Sequence, residues 1–169
     1  GEGLALVGSE LIQLTWKAGI ALVYDVETLE ILRRVEYSGE GWGLCYDGSA
    51  LFMSDGSSRI TQKDPVTFEI LSEIEVTANG FGQSNINELE CVGDFIYANI
   101  YLSNRIVRID KLTGEIVGEL DGFKLSLASR RPPGREAVLN GIAYVPQTGI
   151  FLLTGKLWPT LFAIRLEEN

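Results

Sequence analysis

The chain contains no histidine. Within these residues that removes a His-ligated metal site, a Ser-His-Asp triad and a Cys-His dyad, each of which needs an imidazole. Cysteine is nearly absent too, and the two copies, Cys45 and Cys91, form no Cys-x-x-Cys motif. Counted from the apolar anchors of the repeats described below, Cys45 sits one residue on and Cys91 two. That assigns their side chains to opposite faces of neighbouring sheets, so two separate buried thiols are expected. Positive charge is scarce: 14 Lys and Arg against 23 Asp and Glu leave a net charge of −9, which opposes binding to a phosphate backbone. The one basic stretch, Lys124 to Arg135 around the Pro132-Pro133-Gly134 turn, reads as an exposed connecting loop, and no nucleic-acid partner is expected. No apolar run approaches the ~20 residues needed to span a bilayer. No segment sustains i, i+3, i+4 apolar spacing over helix length.

Four copies of one short motif are present: Gly1-Glu2-Gly3-Leu4-Ala5-Leu6, Gly41-Trp42-Gly43-Leu44-Cys45-Tyr46, Ile86-Asn87-Glu88-Leu89-Glu90-Cys91 and Leu139-Asn140-Gly141-Ile142-Ala143-Tyr144. Their anchors Leu4, Leu44, Leu89 and Ile142 are 40, 45 and 53 residues apart, a period of propellers or helical arrays. Short apolar runs bounded by Gly, Asp and Asn, such as Leu11 to Trp16, Ala50 to Met53, Phe95 to Tyr101 and Ile150 to Thr154, decide for strands. A second repeat, Asp-x-x-Thr-x-Glu-Ile, begins at Asp25, Asp64 and, with Gly at the fifth position, Asp110. An Asp or Thr oxygen there can accept nearby backbone N–H groups, which is turn chemistry between antiparallel strands.

The reading is therefore all-β: a β-propeller of four-stranded antiparallel blades. With 46% hydrophobic residues it forms one domain over 1–169, with blades near 1–37, 39–77, 86–122 and 139–167. The fourth unit offers only three strands and the first begins inside its motif. A fragment is expected, lacking an N-terminal stretch of roughly one blade and one closing strand, about 50–80 residues at this period. Aligning the motifs puts Glu2, Trp42, Asn87 and Asn140 at one mouth of the channel. The ends of the second strands bring Trp16, Asp55, Tyr101 and Lys156 to the same end. Asp55, in Ser54-Asp55-Gly56-Ser57, reads as a turn former, and the aromatics could be ordinary packing between blades. Glu2 and Lys156 form a candidate acid–base or charge-stabilising pair.

These motifs, with Gly39-Glu40-Gly41-Trp42-Gly43-Leu44, Asn87-Glu88-Leu89-Glu90 and Thr154-Gly155-Lys156-Leu157-Trp158-Pro159, resemble the plant and bacterial glutaminyl-peptide cyclotransferases along nearly the whole chain. The resemblance implies a five-bladed propeller that converts N-terminal glutamine of peptides or proteins to pyroglutamate with release of ammonia. It further implies a metal-independent, cofactor-free reaction, a secreted or periplasmic setting and a monomeric full-length enzyme. Residue by residue, it makes Glu2 the catalytic glutamate and places Lys156 with it. Trp16, Trp42 and Asn87 become substrate-binding groups. Asn140 joins them by the motif alignment alone. Where the family has Asn-x-Trp, this chain has Asn99-Ile100-Tyr101, so Tyr101 replaces an indole wall with a phenol. Two alternatives are a non-catalytic propeller that binds a peptide or small ligand, and a lactonase-type hydrolase with a metal held by Glu2, Asn87 and Asn140, a cation that Lys156 would oppose.

Overall fold

The computed structural model describes residues 1–166. Four antiparallel sheets follow one another along the chain, each laid down in simple up-and-down order. The first holds β1 (Leu4–Val7), β2 (Glu10–Leu14), β3 (Ile20–Asp25) and β4 (Ile31–Glu36). The second holds β5 (Leu44–Tyr46), β6 (Leu51–Ser54), β7 (Arg59–Lys63) and β8 (Ile70–Glu75). A two-stranded ribbon, β9 (Thr77–Ala78) with β10 (Phe81–Gly82), leads to the third sheet. That sheet comprises β11 (Ile86–Val92), β12 (Phe95–Ile100), β13 (Arg105–Asp110) and β14 (Ile116–Asp121). After a short helix, α1 (Phe123–Ala128), the fourth sheet has three strands among the described residues: β15 (Leu139–Val145), β16 (Ile150–Gly155) and β17 (Phe162–Ile164). The first strands of successive sheets, β1, β5, β11 and β15, lie beside one another. The sheets are thus blades set around a common axis, a β-propeller.

The core is divided among the junctions between blades. Ile12, Leu14, Ala21 and Val23 of the first blade pack on Leu44, Leu51, Met53 and Phe68 of the second. Phe52, Ile60 and Val76 of the second meet Ile86, Leu89, Ile96 and Val107 of the third. Ile106 of the third packs with Leu139, Phe151, Leu153 and Trp158 of the fourth. The outermost strands β4 and β8 carry little of this burial and face solvent.

Both sequence repeats have structural jobs. In each Asp-x-x-Thr turn the Asp oxygen accepts the backbone N–H groups two and three residues on, as at Asp25 (3.0 and 2.9 Å), Asp64 (2.8 and 2.7 Å) and Asp110 (3.0 and 2.8 Å). The fourth residue after the Asp then turns through positive φ: Leu29 at 58°, Phe68 at 63° and Gly114 at 74°. In the anchor motif, Gly3 and Gly43 let neighbouring inner strands touch. A Cβ on Gly3 would meet the Leu44 nitrogen at 2.5 Å, and one on Gly43 would collide with the Asn87 carbonyl. The gap is closed by polar stitches instead. Gly3 N–H donates to the Trp42 carbonyl (2.7 Å), and Ser54 Oγ takes the Gly43 N–H (2.8 Å) while donating to the Asn87 carbonyl (2.7 Å).

Two expectations are corrected here. Cys45 and Cys91 form a disulfide, with Cα atoms 5.5 Å apart, where separate thiols were expected. The parity argument was sound but its consequence was inverted. In a ring of blades, the forward face of one sheet meets the backward face of the next. Side chains on opposite faces of neighbouring blades therefore point at each other. The segment expected as loop, Lys124 to Arg135, begins inside α1 (Phe123–Ala128). Six residues are too few for a helical apolar period to show.

Candidate active site

A cavity of about 170 Å³ is lined by Glu2, Trp16, Trp42, Asn87, Tyr101, Glu136 and Lys156. Six of these are the residues selected from the sequence apart from Asn140, which is not among the lining side chains. Asn140 Oδ1 is buried with no hydrogen-bond partner among the described residues. Asp55 is a turn former: its Oδ1 accepts Ser57 N–H at 2.9 Å and Ser57 Oγ–H at 2.6 Å.

The inner-strand motif explains how Glu2, Trp42 and Asn87 come together. Each precedes the anchor of its own blade by two residues, and the contacts at Gly3 and Gly43 hold those backbones side by side. Trp42 is seated against Gly56, where a Cβ would lie 2.7 Å from the indole ring, and Gly56 also turns at φ 84°. Trp42 meets the Tyr101 ring edge-on, with centroids 5.5 Å apart at 81°, a favoured aromatic geometry. Lys156 Nζ sits over the same Tyr101 ring, 5.0 Å from its centroid, within cation–π range. The loop carrying Lys156 is pinned by its own N–H to the Val138 carbonyl (2.9 Å) and by buried Trp158, whose Nε1 donates to the Ala137 carbonyl (3.1 Å).

Two carboxylates that complete the site escaped the sequence reading. Glu40 Oε2 accepts both indole N–H groups, from Trp16 at 2.6 Å and from Trp42 at 2.9 Å. The Trp42 bond first, then the Trp16 bond, hold the Glu40 carboxyl below its ordinary pKa. A carboxylate two residues before a tryptophan in extended chain shares its side, and that spacing was the available signal. Glu136 accepts the Tyr101 hydroxyl proton, and this bond is the main reason the phenol's pKa is raised. Glu136 lies in the long connection between the third and fourth blades, where the repeats offer no counterpart to align.

The interior polar groups are unequally satisfied. Asn87 is 3% exposed, and its Oδ1 has no partner among the described residues. A buried amide is costly to leave unpaired, and Asn87 is one of the side chains lining the cavity. Behind it, burial pushes Glu88 up to about 8, with the charges of Glu90 and Glu2 adding to the effect. Burial likewise pushes Glu90 up to about 7, opposed by a hydrogen bond from the Tyr144 backbone. No cluster of three or more His, Cys, Asp or Glu side chains suited to a metal ion occurs among the described residues. No described helix is long and apolar enough to cross a membrane.

The family model described as "Glutamine cyclotransferase" matches residues 1–166. The chain belongs to the glutamine cyclotransferase family. It is 36% identical to the glutaminyl-peptide cyclotransferase of Arabidopsis thaliana over 99% of its own length, spanning about half (53%) of that relative. The crystal structure of Myxococcus xanthus glutaminyl cyclase superposes with a TM-score of 0.94 at 43% identity, covering 98% of this chain and 72% of that one. The computationally designed Ika4 protein, at 16% identity and TM-score 0.54 over 98% of this chain and 90% of that one, shares the fold alone.

Proposed function

We propose that the protein carrying this chain cyclises the N-terminal glutamine of peptides to pyroglutamate and releases ammonia. The observation that carries this reading is the convergence of Glu2, Asn87 and Lys156 beneath an aromatic wall of Trp16, Trp42 and Tyr101. At about 170 Å³, the cavity is on the scale of a single residue rather than a polymer segment.

The chemistry follows from the groups present. A peptide α-amine titrates near 7.7–8.0, so a large share is protonated and non-nucleophilic at neutral pH. The Glu2 carboxylate takes that proton. The freed nitrogen attacks the carboxamide carbon of its own side chain, closing a five-membered ring and placing negative charge on the amide oxygen. The Lys156 ammonium and the Asn87 carboxamide are the donors available to that oxygen, and a donor of this kind typically contributes about 2.7–4 kcal/mol to the transition state. Glu2 then gives its proton to the amide nitrogen, the bond from carbon to that nitrogen breaks to release ammonia, and the regenerated carboxylate takes the second proton from the ring nitrogen, leaving the neutral lactam N–H. Because nucleophile and electrophile belong to one residue, the walls act mainly by holding the compact conformer.

No step calls on a metal or cofactor. The Cys45–Cys91 disulfide supports the secreted or periplasmic setting that the family resemblance implies. The deciding experiment incubates a Gln-initiated peptide with the protein, with and without chelator, and measures ammonia and the peptide's mass. Stoichiometric ammonia with loss of the same mass from the peptide is expected in both arms. A folded protein that releases none would sink the reading.

A further inference from the structure

A second concavity of about 660 Å³ adjoins the pocket. The two share a wall: Tyr101 and Leu102 are consecutive, as are Arg135 and Glu136, with one member of each pair lining each cavity. Three arginines, Arg130, Arg131 and Arg135, line the larger cavity, and no carboxylate does. In a chain of net charge −9 that is a local reversal of sign. None of the three makes a salt bridge among the described residues. Arg131 is fixed by Nη1 donating to the Ala137 carbonyl at 2.9 Å. Arg135 lies near enough to the Tyr101 phenol to act on it electrostatically.

The groove is braced rather than loose. Ser129 Oγ–H donates to the Ser126 carbonyl (2.7 Å), Arg131 N–H donates to Ser129 Oγ (3.3 Å), and Thr160 Oγ1–H donates to the Ser129 carbonyl (2.8 Å). Arg130 is held at φ 54°, and Pro132-Pro133 stiffens the rim. Leu127, 70% exposed, adds an apolar surface beside the guanidinium groups.

On the cyclase reading, on which this inference rests, the glutamine fills the pocket and the peptide must leave past its rim. Each extended residue advances ~3.3–3.6 Å, so the residues just after the glutamine reach the groove. We propose that the arginine-lined groove is a downstream subsite selecting peptides with Asp or Glu two to four residues from the N-terminal glutamine.

The test compares matched peptides carrying Glu, Ala or Lys at those positions, using the full-length protein. The Glu peptide is expected to exceed the Lys peptide in kcat/KM by about fivefold at low salt, since ~1 kcal/mol is at the upper end for exposed ion pairs. The difference should lie in KM and shrink as added salt screens the charges. Arg130→Glu should reverse the preference, while glutamine amide, too short to reach the groove, checks that the variant is folded. Equal kcat/KM for all three peptides would overturn the subsite and leave the cyclase reading standing. Failure to release ammonia from any substrate, glutamine amide included, would overturn the cyclase reading and the subsite with it. Inhibition by a single-stranded oligonucleotide at lower concentration than by an acidic pyroglutamyl peptide would give the groove to another ligand and overturn the proposal.

Discussion

Trp16 donates its indole N–H to Glu40 at 2.6 Å, and the same carboxylate oxygen holds Trp42 from the next blade. One anion thus aligns two aromatic walls that belong to different blades. Lys17 also pairs with it, Nζ to Oε1 at 3.6 Å, and lies over the Trp16 ring at 4.2 Å. Half-exposed Trp16 (51%) would otherwise have wide rotamer freedom.

Glu40→Ala is therefore expected to raise KM for Gln-initiated peptides by about three- to tenfold with little change in kcat, because charge-assisted bonds to a solvent-facing carboxylate are individually modest. Glu40→Gln should fall between the two, since an amide oxygen still accepts one indole. A drop in kcat equal to the rise in KM would mean that Glu40 acts on the reacting atoms instead.

Glu2→Gln keeps shape and hydrogen bonding but cannot shuttle a proton. Turnover should fall by about 10²–10⁴, the usual worth of a positioned acid–base group, while a pyroglutamyl peptide still binds. Near-native turnover would make Glu2 structural. Lys156→Met should cost about 10²–10³ in kcat if the ammonium faces the developing charge. It should leave the melting temperature nearly unchanged, because Trp158 and the Lys156 backbone hold that loop.

The blades were legible because the chain repeats its turn chemistry. Asp25, Asp64 and Asp110 show the same side-chain acceptor, and each marks a strand-to-strand turn wherever it occurs. The pocket was legible where it grows from the repeated inner strand, as with Glu2, Trp42 and Asn87. It was not legible where function lies between repeats. Glu136 comes from a connection with no counterpart in the other blades. For Glu40 the spacing signals only the bond to Trp42, not the one to Trp16 of the preceding blade. Asn140 holds the aligned position, yet it is not among the side chains lining the pocket. The disulfide was misjudged because opposite faces of neighbouring sheets were taken to point apart, whereas in a ring of blades they face each other.

The Cys45–Cys91 bridge joins the second and third blades across 46 residues. Both residues sit in the cluster that fills that junction. Closing a loop of this length restricts the unfolded chain, and removing such a bridge typically costs about 2–4 kcal/mol. For a protein of this size that corresponds to a fall in Tm of about 4–16 °C. Cys45→Ser/Cys91→Ser and reduced wild type should melt together, below oxidised wild type. If reduction left the melt unmoved, the bridge would contribute nothing to stability.

Glu88 sets the direction of the pH dependence. Burial, then repulsion from Glu90 and Glu2, raise its folded pKa to about 8, whereas in the unfolded chain a glutamic acid titrates near ~4.3. Between those values the folded state holds a proton that the unfolded state has released. Stability from this group is therefore complete below about 4.3 and is lost progressively as pH rises through about 8. Glu90, raised to about 7, acts in the same direction. The melting temperature should accordingly decline from mildly acidic to mildly alkaline pH. Glu88→Gln, which mimics the protonated form, should flatten that decline and melt above wild type at pH 8. A wild-type melting temperature that rises over this window, or a Glu88→Gln variant that melts below wild type at pH 8, would show that Glu88 is ionised and satisfied in the folded protein.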